Sequence, residues 1–262
     1  MYRSIDSSRN KHASSSAALS EKREASLNRK KQFTLLHVIF AIQIAFCISV
    51  IVRSRNVLSA TDAGILLLVP ILQTIWVAAA TYLARSRQFF LHPIILRSFP
   101  IFWLPFFVAG VQQAIFGGLQ EQTTAILNYL PRSTFVGLQT VRVLAVGSLI
   151  KWYHGIFPFA FAWFTAFPDM LFGISAIVLL IQGDWIQDDT FLATWNMIGL
   201  AIIVPFGAMV LQLGMAPTQL YRSNVPNGSV FEYPMVLGPA AVVPILVSWN
   251  IMVAVWAVSR NR

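Results

Sequence analysis

Long apolar runs alternate with short polar segments from about residue 33 to the end of the chain. A helix needs about 20 mostly apolar residues to cross the hydrocarbon core of a membrane. Because the runs are continuous, they predict spanning helices, whereas the strands of a membrane barrel would alternate apolar and polar positions. Seven runs approach or exceed the required length: 33–52, 63–83, 99–117, 134–151, 157–181, 191–213 and 235–259.

We therefore predict an all-α, polytopic membrane helix bundle with about seven transmembrane helices. The run at 134–151 is the least regular, because it is amphipathic and carries Arg142 near its middle. If this run only lies on the membrane surface, the number of spans falls to six. Residues 32–262 are expected to form one transmembrane domain. Residues 1–31 are polar and serine-rich, which predicts a disordered basic tail.

The composition also indicates a chain that lies in lipid. Hydrophobic residues make up 56% of it and charged residues only 11%, whereas soluble domains carry about 25% charged residues. The net charge of +9 does not indicate nucleic-acid binding, because eight of the 19 lysine and arginine residues precede Gln32. A basic tail beside a membrane span is a topology signal, so we predict a cytoplasmic N-terminus with the lipid bilayer as partner.

Arg142 and Asp169 are the strongest candidates for chemistry, because an ionisable residue inside a span is costly and needs a partner. Arg142 lies eight residues into its run and Asp169 twelve residues into the next, antiparallel run. These positions are about 12 Å and 18 Å from opposite faces of a core about 30 Å thick. We therefore predict that the two residues pair, either as a proton-coupled or substrate-binding site or as an ion pair that fixes helix packing.

Trp195 and Asn196 complete the predicted substrate-binding residues. Asn196 lies about one turn into its run, where it could contact a ligand or form a hydrogen bond to a neighbouring helix. Trp195 is close to the predicted membrane boundary, and its simplest interpretation is an interfacial anchor.

Three histidines, His37, His92 and His154, are predicted to approach the inner face of the membrane. Three imidazoles could hold a metal ion and activate water, as in a membrane-embedded hydrolase. The spacings H-x-x-x-H and H-E-x-x-H are absent, so no metal or other cofactor is predicted, and this site is kept only as an alternative.

A set of short motifs extends over roughly residues 142–256 and resembles a family of small polytopic membrane proteins with no assigned activity. The resemblance implies a membrane bundle and marks Arg142, Asp169, Trp195 and Asn196, but it implies no substrate. Pro168 stands where the family pattern has glycine. The motifs are Arg142 with Gly147, Phe157-Pro158, the sequence FPDMLFG at 167–173, Trp195-Asn196 with Gly199, YPMVL at 233–237 with Pro239, and Val243-Pro244.

The leading functional hypothesis is a transporter of a small molecule or ion, with Arg142 and Asp169 as its polar centre and Asn196 assisting binding. The alternatives are a metal-dependent hydrolase that uses the histidines, and a non-catalytic membrane scaffold. An enzyme is the less favoured class, because no recognised catalytic motif occurs in the chain.

Overall fold

The computed structural model describes residues 36–86, 104–214, 220–221, 224–225 and 227–260. The predicted tail at 1–31 lies outside these residues. Within them the regular structure is entirely helical. The main helices are α1 (Leu36–Asn56), α2 (Ala60–Arg85), α3 (Leu104–Gly118), α4 (Gln120–Tyr129), α5 (Arg132–Tyr153), α6 (Phe159–Gln182), α7 (Asp189–Leu211) and α8 (Gly238–Arg260).

Six of the described helices, α1, α2, α5, α6, α7 and α8, are 21 to 26 residues long and apolar enough to cross a membrane. This confirms an all-α, multi-pass membrane protein, and the six spans found among the described residues match the alternative count. The irregular run at 134–151 belongs to one of the six, α5. The run at 99–117 is described only from Leu104, as the 15-residue α3.

Helix α8 is the centre of the bundle. In its most apolar stretch 67% of the residues are buried, against 17% to 39% in the other five spans. The indole rings of Trp249 and Trp256 in α8 contact the ring of Phe135 in α5, with centroids 6.2 Å and 4.9 Å away. Helix α8 is therefore the most enclosed of the six spans, and it packs mainly against α7 and α3.

Helix α5 changes its winding where Arg142 lies. Its first part, Arg132–Gly137, and its last part, Val146–Tyr153, are α-helical, but Leu138–Ala145 is a 3-10 helix. Side chains three residues apart align in a 3-10 helix. Gln139 and Arg142 consequently share one edge, and both side chains are buried against the neighbouring helices.

Three other helices contain π-helical stretches, at Ala162–Ala166 in α6, Ile202–Gly207 in α7 and Gly238–Val242 at the start of α8. Such stretches are uncommon and occur often at functional sites. Pro205 lies inside the second stretch and Pro239 near the start of the third. The regular hydrogen bonding of α6, α7 and α8 is therefore interrupted in each helix.

The interruption in α8 is compensated by side chains of α2. Pro244 has no N–H, so the carbonyl of Ala240 cannot receive the usual bond from four residues ahead. Trp76 Nε1 donates to this carbonyl at 2.8 Å and Gln73 Nε2 at 3.2 Å. Gln73 Nε2 also donates to the carbonyl of Ala241 at 2.9 Å. The broken start of α8 is thus held against α2.

Candidate functional site

Arg142 and Asp169 form an ion pair between α5 and α6, as the sequence predicts. Arg142 Nε donates to Asp169 Oδ1 at 2.6 Å, and Arg142 Nη2 lies 2.5 Å from the same oxygen. The Arg142 side chain is fully buried, whereas that of Asp169 is 21% exposed. Both contacts use Oδ1 of Asp169.

The guanidinium of Arg142 also reaches α7. Its Nη2 donates to the carbonyl of Gly199 at 2.9 Å, and its Nη1 donates to Gln139 Oε1 at 3.4 Å. The ring of Phe172 in α6 lies under the cation, 4.2 Å from the guanidinium carbon, in the position of a cation–π contact. One arginine therefore contacts three helices, and its burial is compensated by a carboxylate, a carbonyl, an amide and an aromatic face.

Two glycines allow this close approach. A Cβ atom at Gly199 would overlap the ring of Phe172 and lie 2.8 Å from Arg142 Nη1. A Cβ atom at Gly173 would overlap the backbone nitrogen of Val143 in α5. Glycine at these two positions is therefore required by packing around the arginine, since any larger residue would separate α6 or α7 from α5.

Trp195 contributes to the site through its contact with Phe172. Its ring stacks on that of Phe172 with centroids 4.2 Å apart, and its Nε1 donates to Ser175 Oγ at 3.0 Å. The side chain is only 7% exposed, which does not fit the interfacial-anchor interpretation. Trp195 positions Phe172, which in turn covers Arg142; direct contact between Trp195 and a substrate stays a prediction.

The polar network continues from Arg142 through Gln139 to α8, where Gln139 Nε2 donates to Asn250 Oδ1 at 2.8 Å. Asn196 is fully buried in α7, and its Nδ2 donates to the carbonyl of Leu192 in its own helix at 2.9 Å. Asn196 Oδ1 and Asn250 Nδ2 have no hydrogen-bond partner among the described residues. A substrate role for Asn196 stays a prediction, because its side chain does not line the cavity described next.

A cavity of about 400 Å³ lies beside the ion pair. Its wall is formed by α1, α5, α6, α7, α8 and the short 3-10 turn Asn227–Phe231. All three π-helical stretches contribute residues to this wall, so the helix irregularities surround the cavity. Most of the lining is apolar, and the side chains with polar groups are Arg142, Ser148, Lys151, Thr165 and Asp169.

Three of these polar residues, Ser148, Lys151 and Thr165, were not singled out as site residues from the sequence. Thr165 lies in the π-helical stretch of α6, and its buried Oγ1 has no hydrogen-bond partner among the described residues. Lys151 lies in the last turn of α5, with its Nζ at the sulfur of Met235 and 5.4 Å from the ring centre of Phe157. The sequence indicates Lys151 only as a basic residue near the end of a span.

Two of the three histidines are described by the structure. His154 is exposed in the turn after α5, and its ring contacts that of Tyr153 with centroids 5.5 Å apart. His37 lies in the first turn of α1, and His92 lies outside the described residues. No group of three His, Cys, Asp or Glu residues in the described part of the chain could hold a metal ion. A metal site that includes His92 stays a prediction.

No family model, no curated protein and no solved structure matches this chain. The resemblance in motifs to an uncharacterised membrane family therefore remains an expectation.

Proposed function

We propose that this protein is a membrane transporter that carries a small, largely apolar molecule through the cavity beside Arg142 and Asp169. The observation that carries the proposal is that this ion pair lines a cavity of about 400 Å³, with Asp169 still 21% exposed. Ligand pockets have volumes of about 300–1,000 Å³, mostly apolar walls and a few convergent polar groups. The cavity meets each of these criteria.

The partly exposed carboxylate distinguishes this arrangement from a sealed structural ion pair. A pair that only fixes helix packing has no need of an adjacent cavity. Here the Arg142 side chain is fully buried, while Asp169 lines the cavity and is 21% exposed. An ionisable residue at membrane depth that lines such a space is a candidate for binding or proton coupling.

The irregular helices support the proposal, because they are places where the helices around the cavity could bend. Transporters bind their substrates near the middle of the membrane, where spanning helices are interrupted, and rearrange around that site. Here α6, α7 and α8 are interrupted at the cavity wall by π-helical stretches, and Pro205 and Pro239 lie within two of them. These interruptions are where the bundle could bend to open the cavity to one side or the other.

Cysteine labelling tests the proposal without knowledge of the substrate. The chain has one cysteine, Cys47, so a Cys47→Ala background is free of thiols. A Thr165→Cys change places a single thiol on the cavity wall. The control is Ile174→Cys in the same helix, because Ile174 is 42% exposed and does not line the cavity. Each variant is reconstituted into liposomes and treated with a membrane-impermeant thiol reagent from one side at a time.

Alternating access predicts that the thiol at position 165 reacts from both sides in separate experiments, while the thiol at 174 stays unreactive in lipid. Reaction at 165 from one side only would indicate a binding pocket without transport. Absence of reaction from either side would indicate a closed scaffold and would contradict the proposal.

A further inference from the structure

The charges on the wall of the cavity are not balanced. Arg142 is neutralised by Asp169 at 2.5 Å. Lys151 also lines the cavity, but no carboxylate in the described part of the chain lies within 4.0 Å of it. Ser148 and Thr165, the other polar side chains of the wall, carry no charge. The described wall therefore has a net charge of +1 when both cations and Asp169 are ionised.

The Lys151 ammonium group is directed toward the protein interior. A lysine near the end of a span commonly extends its side chain outward, to place its charge among the lipid headgroups. Lys151 instead contacts the sulfur of Met235 and the ring of Phe157, which also line the cavity. Neither contact replaces the hydrogen bonds that an ammonium group has in water. An anionic ligand would supply the negative charge and the hydrogen-bond acceptors that these two contacts do not provide.

The position of Lys151 also indicates the shape of the ligand. Lys151 and Arg142 are nine residues apart in the same helix, which corresponds to about 15 Å along its axis. The cavity that both side chains line is otherwise largely apolar, with Phe161, Ile203 and Leu211 among its residues. A molecule that fits this space has one anionic end beside Lys151 and an apolar body that extends toward the ion pair.

The cavity reaches the outer surface of the bundle along α5. Leu144 and Ile150 both line it, and they are 43% and 53% exposed. In a protein that spans a membrane, exposed apolar residues of a spanning helix face lipid. An amphiphile already dissolved in the bilayer could therefore enter from the side, without passing through water.

We propose that the ligand of this cavity is a single-chain amphiphilic anion, bound with its carboxylate or phosphate at Lys151 and its chain along α5. This inference rests on the proposed function for the location of the binding cavity, but it does not require transport. A charge-assisted hydrogen bond from the ammonium group would fix the head of the ligand, and apolar contacts would hold the chain.

The experiment uses the full-length protein in nanodiscs of phosphatidylcholine. The probes are a long-chain fatty acid with a photoreactive diazirine group on its chain, and the matching neutral fatty alcohol. Cross-linked residues are located by mass spectrometry. The variants are Lys151→Met, which removes the charge but keeps a long side chain, and Lys151→Arg, which keeps the charge.

We expect the fatty acid to label residues of the cavity wall in the wild-type protein, and the alcohol to label them about tenfold less, in line with the loss of one charge-assisted hydrogen bond. Lys151→Met should reduce labelling by the acid about tenfold, and Lys151→Arg should retain most of it. Equal labelling by acid and alcohol, or equal labelling of wild type and Lys151→Met, would overturn the proposal.

Competition on the wild-type protein provides a test that does not depend on the folding of a variant. Unlabelled oleate and a single-chain lysophosphatidic acid should both displace the photoreactive acid, whereas oleyl alcohol should not. Displacement by the phosphate alone would show that the carboxylate is the wrong headgroup, and displacement by the alcohol would exclude selection for an anion. Thiol access at position 165 reports transport separately, so anion binding and transport can fail independently.

Discussion

Two buried polar clusters in this protein differ in charge and in the space beside them. One joins Gln73, Gln112 and Ser248 across α2, α3 and α8, and contains no charge. Gln112 Nε2 donates to Gln73 Oε1 at 2.8 Å, and Ser248 Oγ donates to Gln112 Oε1 at 2.7 Å. The other joins Arg142 and Asp169 across α5 and α6.

The two clusters also differ in the space beside them. Gln112 and Ser248 border a cavity of about 60 Å³, whereas the ion pair borders one of about 400 Å³. The three uncharged side chains are at most 3% exposed, while Asp169 is 21% exposed. Polar residues within spans are therefore not sufficient to make a site. Here the candidate site is the cluster that combines charge, a partly exposed carboxylate and room for a ligand.

The largest expected effect is the loss of one partner of the ion pair. Arg142→Met leaves the Asp169 carboxylate without its counter-ion, so we expect the free energy of unfolding to fall by about 3–5 kcal/mol. Reversible unfolding in detergent micelles measures this change. The double variant Arg142→Met with Asp169→Leu should recover most of the stability, because an apolar pair often replaces a buried ion pair at little cost.

The double variant also separates the two roles of the pair. If the pair only fixes packing, the variant should retain thiol access at position 165 as well as stability. If the pair is part of a site, stability returns while access from both sides is lost. A double variant no more stable than Arg142→Met would show that the bond from Arg142 to Gly199 matters more than its contact with Asp169.

Gly199→Ala should have the next largest effect. The new methyl group would overlap Phe172 and approach Arg142, and overpacking of this kind costs about 1–3 kcal/mol. The matched control is Gly137→Ala in α5, where an added Cβ would meet nothing within 4 Å. Equal stability of the two variants, measured in the same unfolding assay, would show that α7 moves away easily and that the arginine is not tightly enclosed.

A smaller effect is expected in the uncharged cluster. Gln73→Leu removes the donor to the Ala240 and Ala241 carbonyls, and Trp76 remains to satisfy only the first of these. Hydrogen bonds between membrane helices are worth about 0.6–2 kcal/mol, so we expect a loss in that range, with no change in labelling of the large cavity. Gln182→Leu, at the exposed end of α6, is the control. A change in cavity labelling would show that the two clusters are coupled.

Asn196→Ala should have the smallest effect. Its Nδ2 bonds within its own helix and its Oδ1 has no partner among the described residues. We therefore expect a change in stability below about 1 kcal/mol and unaltered labelling by the photoreactive fatty acid. A clear loss of labelling would instead support the sequence-based prediction that Asn196 binds substrate.

The sequence was sufficient for the membrane bundle and for the ion pair. Long apolar runs predict spans directly, and the positions of Arg142 and Asp169 in adjacent antiparallel runs place them at one depth. The 3-10 winding that aligns Gln139 with Arg142 has no simple sequence signal, although Gln139 lies three residues before Arg142. Six spans occur among the described residues, and the seventh predicted run, at 99–117, is described only from Leu104.

The cavity could not be predicted from the sequence. Its volume depends on how five helices pack, three of which contain π-helical stretches. The apolar residues on its wall have the same sequence pattern as residues that face lipid. The sequence also does not distinguish Lys151, which lines the cavity, from a basic residue that only marks a membrane boundary. Trp195 was assigned to the boundary from its position in the run, but the face of α7 on which it lies directs it into the core.

The most direct test of the central claim compares the cavity beside the ion pair with the smaller cavity beside Cys47, within one protein molecule. The Thr165→Cys variant that retains Cys47 has one thiol beside the large cavity and one beside the small cavity. Labelling with a membrane-impermeant thiol reagent, followed by mass spectrometry of the two peptides, gives both reaction rates. Much faster reaction at position 165 is the predicted result, because the cavity of about 400 Å³ beside the ion pair has room for the reagent and the cavity of about 60 Å³ beside Cys47 does not. Equal rates, or faster reaction at Cys47, would contradict the assignment of the ion-pair cavity as the functional site.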